Sequence, residues 1–240
     1  MRKLLFCLFV LVALPSHASD PEEEQVFLSL RKEAPKGDSE AQYYLGMMYH
    51  VGIATDRDYQ KAYALFAESA KAGHPLSAYK VGCYYAGQGG GILPVDQDLA
   101  LKYKLIAAEA GYSFAQNDVA LIFLQQQKFD NAVKWTKSAA DQGYANAIAM
   151  LASFHADGIL VKKDRAKAQA YLRIALRQAG ARLTPEVVGF LKQQEALMSE
   201  EEVQRTNAIF DGWVARPTEI TVKATHGLRS ASDYLLGKQQ

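Results

Sequence analysis

The chain has 240 residues, of which 49% are hydrophobic, and its 27 basic and 26 acidic residues give a formal net charge of +1. A balance this close to neutral gives no support for a nucleic-acid partner or for an anionic membrane surface as a partner. Two cysteines, Cys7 and Cys83, are too few for a disulfide-rich scaffold, and the length is sufficient to bury a sizeable core.

The first 18 residues have the layout of a secretory signal peptide. A basic start precedes the apolar run Leu4–Leu14, and small residues precede a cleavage site after Ala18. The run is too short to cross a bilayer, which takes about 20 apolar residues. We therefore expect an exported, periplasmic protein that begins at Ser19 and has no stable membrane insertion. Loss of Arg2 and Lys3 would leave 25 basic and 26 acidic residues, a net charge of −1, and one cysteine.

The remainder of the chain is dominated by a recurring unit whose second helix is the clearer half. Its frame is Ala-x-x-(aromatic or Leu)-x-x-x-small-Ala-x-x-Gly, and its spacings are 38, 32 and 36 residues between the frame alanines Ala62, Ala100, Ala132 and Ala168. The fourth copy departs at its end, where Gly180 is displaced by one. A period in the thirties is typical of helical arrays, and apolar positions three and four apart lie on one helix face.

The first helix of each unit has a frame of its own, in which a small residue follows an aliphatic one. In the first unit these residues are Ala41, Leu45 and Gly46. The corresponding frames begin at Ser77, Ala115 and Ala147. Small residues at such positions let neighbouring helices approach closely, and one helix pair cannot bury its apolar face alone. The units are therefore expected to stack.

These motifs resemble the Sel-one-like repeat, a relative of the tetratricopeptide repeat. The first unit carries the pattern most completely, as Ala41-x-x-x-Leu45-Gly46-x-x-Tyr49-x-x-Gly52, Asp58-x-x-Lys61-Ala62 and Ala70-x-x-Gly73. The resemblance covers roughly residues 22–215. It implies an all-α fold, a right-handed superhelical solenoid of antiparallel helix pairs. The chain lacks the cysteine pairs of the family's cysteine-rich branch.

The domain organisation follows from these boundaries. We expect a signal peptide (1–18), a solenoid (19–216) and a polar tail (217–240) that is flexible, although Leu235-Leu236 could dock. Within the solenoid we expect a half-repeat at 21–37, repeats at about 39–73, 75–111, 113–143 and 145–180, and a degenerate capping pair at 184–215.

Several helix starts can be placed from capping residues. Asp58, Asp96 and Asp164 stand four residues before a frame alanine and are expected to accept backbone hydrogen bonds as N-caps. The third unit has Lys128 at this position and a shorter connection, so its turn should be tighter. Further helix starts are expected at Thr184-Pro185 and at the capping box Ser199 to Glu202.

Chemical motifs are scarce. The glycine run Gly87–Gly91 follows a predicted helix and precedes Pro94, whereas a phosphate loop needs a strand before it and a helix after it, so we interpret it as a connecting loop. The histidines of the mature chain have no metal-ligand spacing, and Cys83 is interpreted as a buried structural thiol. No Gly-x-Ser-x-Gly elbow is present. We therefore expect no catalytic residues, no metal and no cofactor.

The candidate partner-binding residues occupy positions that the repeat does not dictate. The position of Tyr44 holds Lys80 and Asp118 in the next two units, residues that share no chemistry. The family resemblance implies that the first helices line a concave face, so these three side chains are expected to form a row along it. The alternative is a variable solvated surface. The full candidate set is Tyr44, Met47, His50, Lys80, Tyr84 and Asp118.

The function expected from this sequence is an exported, periplasmic scaffold that binds another protein on the concave face of the repeats. A narrower alternative is an immunity-type inhibitor of a periplasmically acting, phospholipase-like bacterial effector, because some exported Sel-one-like repeat proteins resemble this chain in size and have that role. A second alternative, a hydrolytic enzyme, has no motif in its favour.

Overall fold

The computed structural model describes residues 20–182 and 184–238, so the expected signal peptide lies outside the described residues. These residues form thirteen α-helices, one short 3-10 helix and no strand. The α-helices are α1 (Pro21–Glu33), α2 (Ser39–Val51), α3 (Tyr59–Lys71), α4 (Pro75–Tyr85), α5 (Gln97–Glu109), α6 (Ser113–Gln125), α7 (Phe129–Asp141), α8 (Ala145–Asp157), α9 (Arg165–Gln178), α10 (Pro185–Glu195), α11 (Glu200–Gly212), α12 (Glu219–His226) and α13 (Leu228–Gly237).

Helices α2 to α9 form four consecutive pairs, each consisting of a first and a second helix. The two helices of a pair pack along each other, and each second helix also packs on the first helix of the next pair. This arrangement buries one apolar face of every helix only when the pairs stack, as the repeated frames require. The prediction of an all-α helical repeat solenoid is therefore confirmed.

The small residues of both frames lie where helices approach each other closely. The frame alanines Ala62, Ala100 and Ala132 are fully buried. A Cβ added to Gly46 would lie 2.7 Å from the Phe66 ring, and one added to Gly82 would lie 2.8 Å from the Lys104 stem. The expected close contact between the two helices of a pair is confirmed.

The N-cap predictions are confirmed as well. The side chains of Asp58, Asp96 and Asp164 each accept a hydrogen bond from the backbone N–H three residues further on. The Lys128 side chain has no acceptor and does not cap α7, and the connection between α6 and α7 spans only Gln126 to Lys128. The capping box at Ser199 and the Thr184 cap are also present.

The two ends of the array are closed differently. At the N-terminal end, α1 buries Val26, Phe27 and Leu30 against the first pair. At the C-terminal end, α11 packs along α9, and the Thr206 hydroxyl donates a 3.2 Å hydrogen bond to the Ala166 carbonyl. Helix α10 has no buried residue among those described. The expected capping pair therefore closes the array chiefly through α11.

The expectation of a flexible tail is wrong. Residues 219–226 and 228–237 are helical, and the C-terminal segment (residues 214–238) folds back over the array to reach α1 and α2. The Thr218 side chain caps α12 by accepting a hydrogen bond from the Thr221 N–H. Ile220 and Ala224, four residues apart on α12, then lie against the core of the first pair, as does Leu228 at the start of α13. The sequence interpretation weighed polar composition and overlooked this spacing.

Candidate partner-binding surface

The first helices of the four pairs, α2, α4, α6 and α8, form what is here called the first-helix face. The C-terminal segment runs along one edge of this face, over the turns between the pairs. The Arg216 N–H donates a 2.8 Å hydrogen bond to the Asp141 carbonyl. A Cβ added to Gly143 would lie 2.8 Å from Ala215, and one added to Gly111 would lie 3.0 Å from Thr218. Both glycines therefore leave room for the segment to lie against the backbone.

Gln142 is the polar anchor of this crossing. Its amide group donates hydrogen bonds to the Gly111 carbonyl at 2.7 Å and to the Gln116 side chain at 2.8 Å. Its carbonyl oxygen accepts bonds from the Thr218 N–H at 3.1 Å and from the Thr221 hydroxyl at 2.7 Å. A single side chain thus joins two neighbouring turns of the array to the start of α12.

The apolar half of the contact lies against α2. The rings of Tyr44 and Tyr234 pack with their centroids 5.9 Å apart, and Ala231 of α13 is only 1% exposed. A cavity of about 120 Å³ remains between α2 and the C-terminal segment, and Met47 and Leu228 are among the residues that line it. The segment therefore covers the first pair without filling all of the space beneath it.

The charged half of the contact joins lysines of the segment to acids of the array. Lys223 pairs with Glu40 and Lys238 with Asp38, while Glu33 lies 3.8 Å from the Lys238 ammonium. Partial burial alone would raise the pKa of Asp38, but its hydrogen bonds to Lys238, Tyr234 and the Ala41 amide outweigh burial and lower the pKa to about 2. The array thus presents an acidic rim to a basic segment.

Tyr44 and Tyr84 do not lie on an open surface, which corrects their sequence interpretation. Tyr44 is 4% exposed beneath the C-terminal segment, and Tyr84 is 1% exposed. A Cβ added to Gly89 would lie 2.3 Å from the Tyr84 ring, so the glycine loop closes over this tyrosine. Burial raises the pKa of both phenols. Truncating either ring would remove packing, so neither side chain can report on binding alone.

His50 and Lys80 lie between the first and second pairs. The His50 Nδ1 atom is 3.0 Å from the Tyr84 hydroxyl oxygen. Burial, followed by the charges of Lys80 and Arg57, lowers the pKa of His50 to about 4. Burial also lowers the pKa of Lys80, which is partly exposed. The structure therefore brings His50 and Tyr84 into direct contact and leaves Lys80 accessible to a partner only in part.

Asp118 is engaged inside the array. Its carboxylate accepts a 2.6 Å bond from the ammonium of the buried Lys104, and the Tyr79 hydroxyl donates a 3.3 Å hydrogen bond to the same oxygen. The Lys104 stem passes over Gly82 on its way to this contact. Asp118 therefore links α5 to the first helix of the next pair, in addition to any part it plays in binding.

The sequence interpretation missed Gln142 and Lys104, although the repeat register carried a signal for each. The position before the glycine that ends each second helix holds Ala72, Ala110 and Ala179 in the first, second and fourth units, whereas the third unit has Gln142. Lys104 occupies a core position of the second helix, where the first unit has Phe66 and the third has Thr136. A long polar side chain at a position that the other units fill with a smaller or apolar one marks a specific contact.

The remaining chemistry of the described residues is sparse. Cys83 is buried as expected, and burial raises the pKa of its thiol. Within residues 20–182 and 184–238 there is no cluster of three or more His, Cys, Asp or Glu side chains placed to hold a metal ion. None of the helices described is both long enough and apolar enough to cross a membrane.

Comparison with known proteins defines the class of protein to which this fold and surface belong. The Sel1 repeat model matches residues 39–74, 75–112, 113–144 and 145–179, which are the four helix pairs. These matches cover more than half of the chain, which therefore belongs to the Sel1 repeat family. Sel1 repeats suggest a scaffold for protein–protein interaction.

Individual relatives share the repeats but not their overall length. Chitin synthase regulatory factor 4 of Schizosaccharomyces pombe is 32% identical over 133 residues, which are 55% of this chain and 21% of that protein. An uncharacterised protein of Neisseria meningitidis is 30% identical over 129 residues, covering 53% of this chain and 26% of its own. The alignments thus span about a fifth to a quarter of these relatives.

Among solved structures, the Sel1 repeat protein from Oxalobacter formigenes is similar to this chain at 29% sequence identity and a TM-score of 0.62. The similarity covers 71% of this chain and 49% of that one. It supports the repeat solenoid that the helix packing defines.

Proposed function

We propose that this protein is an exported, periplasmic scaffold that binds a partner protein on the first-helix face. The observation that carries the proposal is that one edge of this face, formed by α2 and the turns between the pairs, already holds a helical segment of its own chain. The Gly111 carbonyl, the Gln142 amide and apolar rings all contribute to that contact. A surface with both apolar area and fixed polar groups has the composition of a polypeptide-binding interface.

The exposed part of the face offers further contact area. Leu121 of α6 is 43% exposed and occupies the repeat position of Met47. Lys80 and Asp118, both partly exposed, occupy the position of Tyr44 in the second and third pairs. Large apolar side chains bordered by charges favour recognition of another protein.

Capture of partners from a periplasmic extract by the tagged mature protein tests the proposal. Leu121→Asp on the first-helix face should abolish capture, whereas Ile106→Asp on the second helix α5, where Ile106 is 40% exposed, should not. Both changes place a carboxylate on a similarly exposed aliphatic position, so a difference reports the face and not the charge. Equal capture by the two variants would contradict binding on the first-helix face.

Export has its own test. N-terminal sequencing of periplasmic protein should begin at Ser19, because cleavage is expected after Ala18. Recovery of intact Met1 in the membrane fraction would contradict the signal peptide.

The immunity-type alternative would use the same face for a narrower purpose. It predicts that the captured partner is a phospholipase-like effector encoded by a neighbouring gene and that binding stops its lipase activity. The enzymatic alternative predicts hydrolysis by the purified chain alone. A lipase assay with the effector, the chain and their mixture separates the three functions.

A further inference from the structure

We propose that the C-terminal segment is an internal ligand of the first-helix face and that the partner protein docks by displacing it with a basic amphipathic helix. This inference rests on the proposed function, because it names the chemistry of the partner that the same face would take. Segment and partner would then compete for one site, and the free protein would be closed.

The anchors of the site belong to the array and not to the segment. Gln142 and the Gly111 carbonyl stay in place when the segment leaves, since both belong to the turns between pairs. Tyr44 and Met47 lie on α2, at positions that the repeat does not dictate. An empty site would therefore still present a carbonyl, an amide and an apolar floor to a new ligand.

The contact with the segment is incomplete, which favours displacement. The cavity of about 120 Å³ lies within this interface. The hydroxyl group of Tyr44 is buried and has no partner at hydrogen-bonding distance within the described part of the chain, although Glu40 and Ser230 are near it. A ligand that fills the cavity and donates to or accepts from this hydroxyl would make contacts that the segment lacks.

The segment itself has little stability apart from the array. Helices α12 and α13 have 8 and 10 residues and meet at Gly227, which has a φ of 53°. Isolated helices this short are not stable in water, so their helicity depends on packing against α1 and α2. The segment can therefore leave as a unit without disturbing the order of the four pairs.

The chemistry of the partner follows from what the segment satisfies. The acidic rim of Glu33, Asp38 and Glu40 faces Lys223 and Lys238, so the partner helix needs basic residues at the positions that match these two lysines. The Gln142 carbonyl takes hydroxyl donors, so Ser or Thr at the helix start fits the site. Small and aliphatic residues, like Ala231 and Leu228, suit the middle.

A synthetic fluorescent peptide of residues 214–238, titrated into the full-length mature protein, tests the inference. The tethered segment competes at an effective concentration of the order of millimolar, so the wild-type protein should bind the peptide weakly. Ala231→Asp places a charge on the buried side of α13 and should release the segment from the site. The apparent Kd of the peptide should then fall by tenfold or more. Leu236→Asp, at a position 59% exposed on the same helix, should behave like the wild type.

Charge reversal adds a second readout. In the Ala231→Asp background, Glu40→Lys should weaken binding of the wild-type peptide. A peptide carrying Lys223→Glu should restore binding to this variant. If Ala231→Asp does not fold, Lys223→Glu in the chain replaces it as the opening variant. If releasing the segment unfolds the whole chain in both variants, the inference is wrong. It is also wrong if a folded open variant does not bind the peptide. The titration needs no partner, so its failure is distinct from failure to capture a protein from the extract.

Discussion

Tyr44 of α2 and Tyr234 of α13 lie with their ring centroids 5.9 Å apart, although they come from opposite ends of the chain. In a simple solenoid each repeat contacts only its neighbours, and stability is a sum of local terms. Here the contact between the two ends adds a long-range term, because opening the first pair also exposes α13. The ion pair of Lys238 with Asp38 reinforces the same closure.

The glycines between the pairs provide a matched test of this closure. Gly73 and Gly143 have φ values of 89° and 91°, but a Cβ at Gly73 would meet nothing described within 4 Å, whereas one at Gly143 would lie 2.8 Å from Ala215. Alanine at either position costs about 1–2 kcal/mol for the left-handed backbone. Gly143→Ala should cost about 1 kcal/mol more because it also displaces the segment. Urea unfolding of both variants measures the difference, and equal losses would show that the segment does not press on this turn.

The pair of Lys104 and Asp118 should be a stability determinant. Lys104 is buried, and its ammonium is 2.6 Å from the Asp118 carboxylate. Asp118→Ala leaves that charge without its partner and should cost about 2–4 kcal/mol of unfolding free energy. Lys104→Met keeps the stem over Gly82 and removes the charge, so the double variant should recover much of the loss.

A double-mutant cycle measured by chemical denaturation tests this coupling. The expected interaction free energy is about 1–3 kcal/mol, as for residues in one network. If the losses of unfolding free energy in the two single variants simply add in the double variant, Asp118 and Lys104 are not coupled and Asp118 is a solvated side chain.

The repeat register could be predicted from the sequence because each unit must solve the same packing problem. Ala62, Gly46 and Asp58 recur at fixed spacings, since close helix contact and N-capping demand particular residue types. The path of the C-terminal segment could not be predicted in this way. It depends on contacts of Thr218 with Gln142 and Gly111, which are remote from it in sequence. These contacts occur once and are not repeated from unit to unit, so no periodic pattern predicts them.

The candidate surface shows the same division. The register marked positions that the repeat does not dictate, but Tyr44 and Tyr84 are covered by elements outside the frame, the C-terminal segment and the glycine loop. Exposure depends on everything that packs against a helix, whereas the register describes only the helix and its nearest neighbours. Whether the candidate residues bind a partner stays a prediction.

The first-helix register itself can be tested with two leucines. Leu45 is buried in the core, whereas Leu121 is 43% exposed on the first-helix face. Leu45→Asp places a carboxylate without a partner in the core and should lower the unfolding free energy by several kcal/mol. Leu121→Asp should change it by less than about 0.5 kcal/mol. Thermal melts followed by circular dichroism compare the two, and equal melting temperatures would contradict the register.

The last prediction concerns pH, and it depends on His50. The pKa of His50 is lowered from 6.5 to about 4 in the folded protein, first by burial and then by Lys80 and Arg57. Above pH 6.5 both the folded and the unfolded chain have a neutral ring, so the group has no effect. As the pH falls towards 4, only the unfolded chain takes up the proton, and the folded state loses stability.

The full shift would correspond to about 3 kcal/mol, but His50 is partly solvated, so a loss of about 1–2 kcal/mol between pH 6.5 and pH 4 is expected. His50→Asn can still hydrogen-bond the Tyr84 hydroxyl and has no proton to gain. Unfolding free energies of both proteins, measured by urea denaturation from pH 7 to pH 4.5, should therefore converge as the pH falls. His74, whose pKa is also lowered to about 4, titrates in both proteins and cancels from the difference. Parallel curves would mean that the His50 ring is already solvated in the folded state, and the contact with Tyr84 would then contribute nothing to the pH dependence.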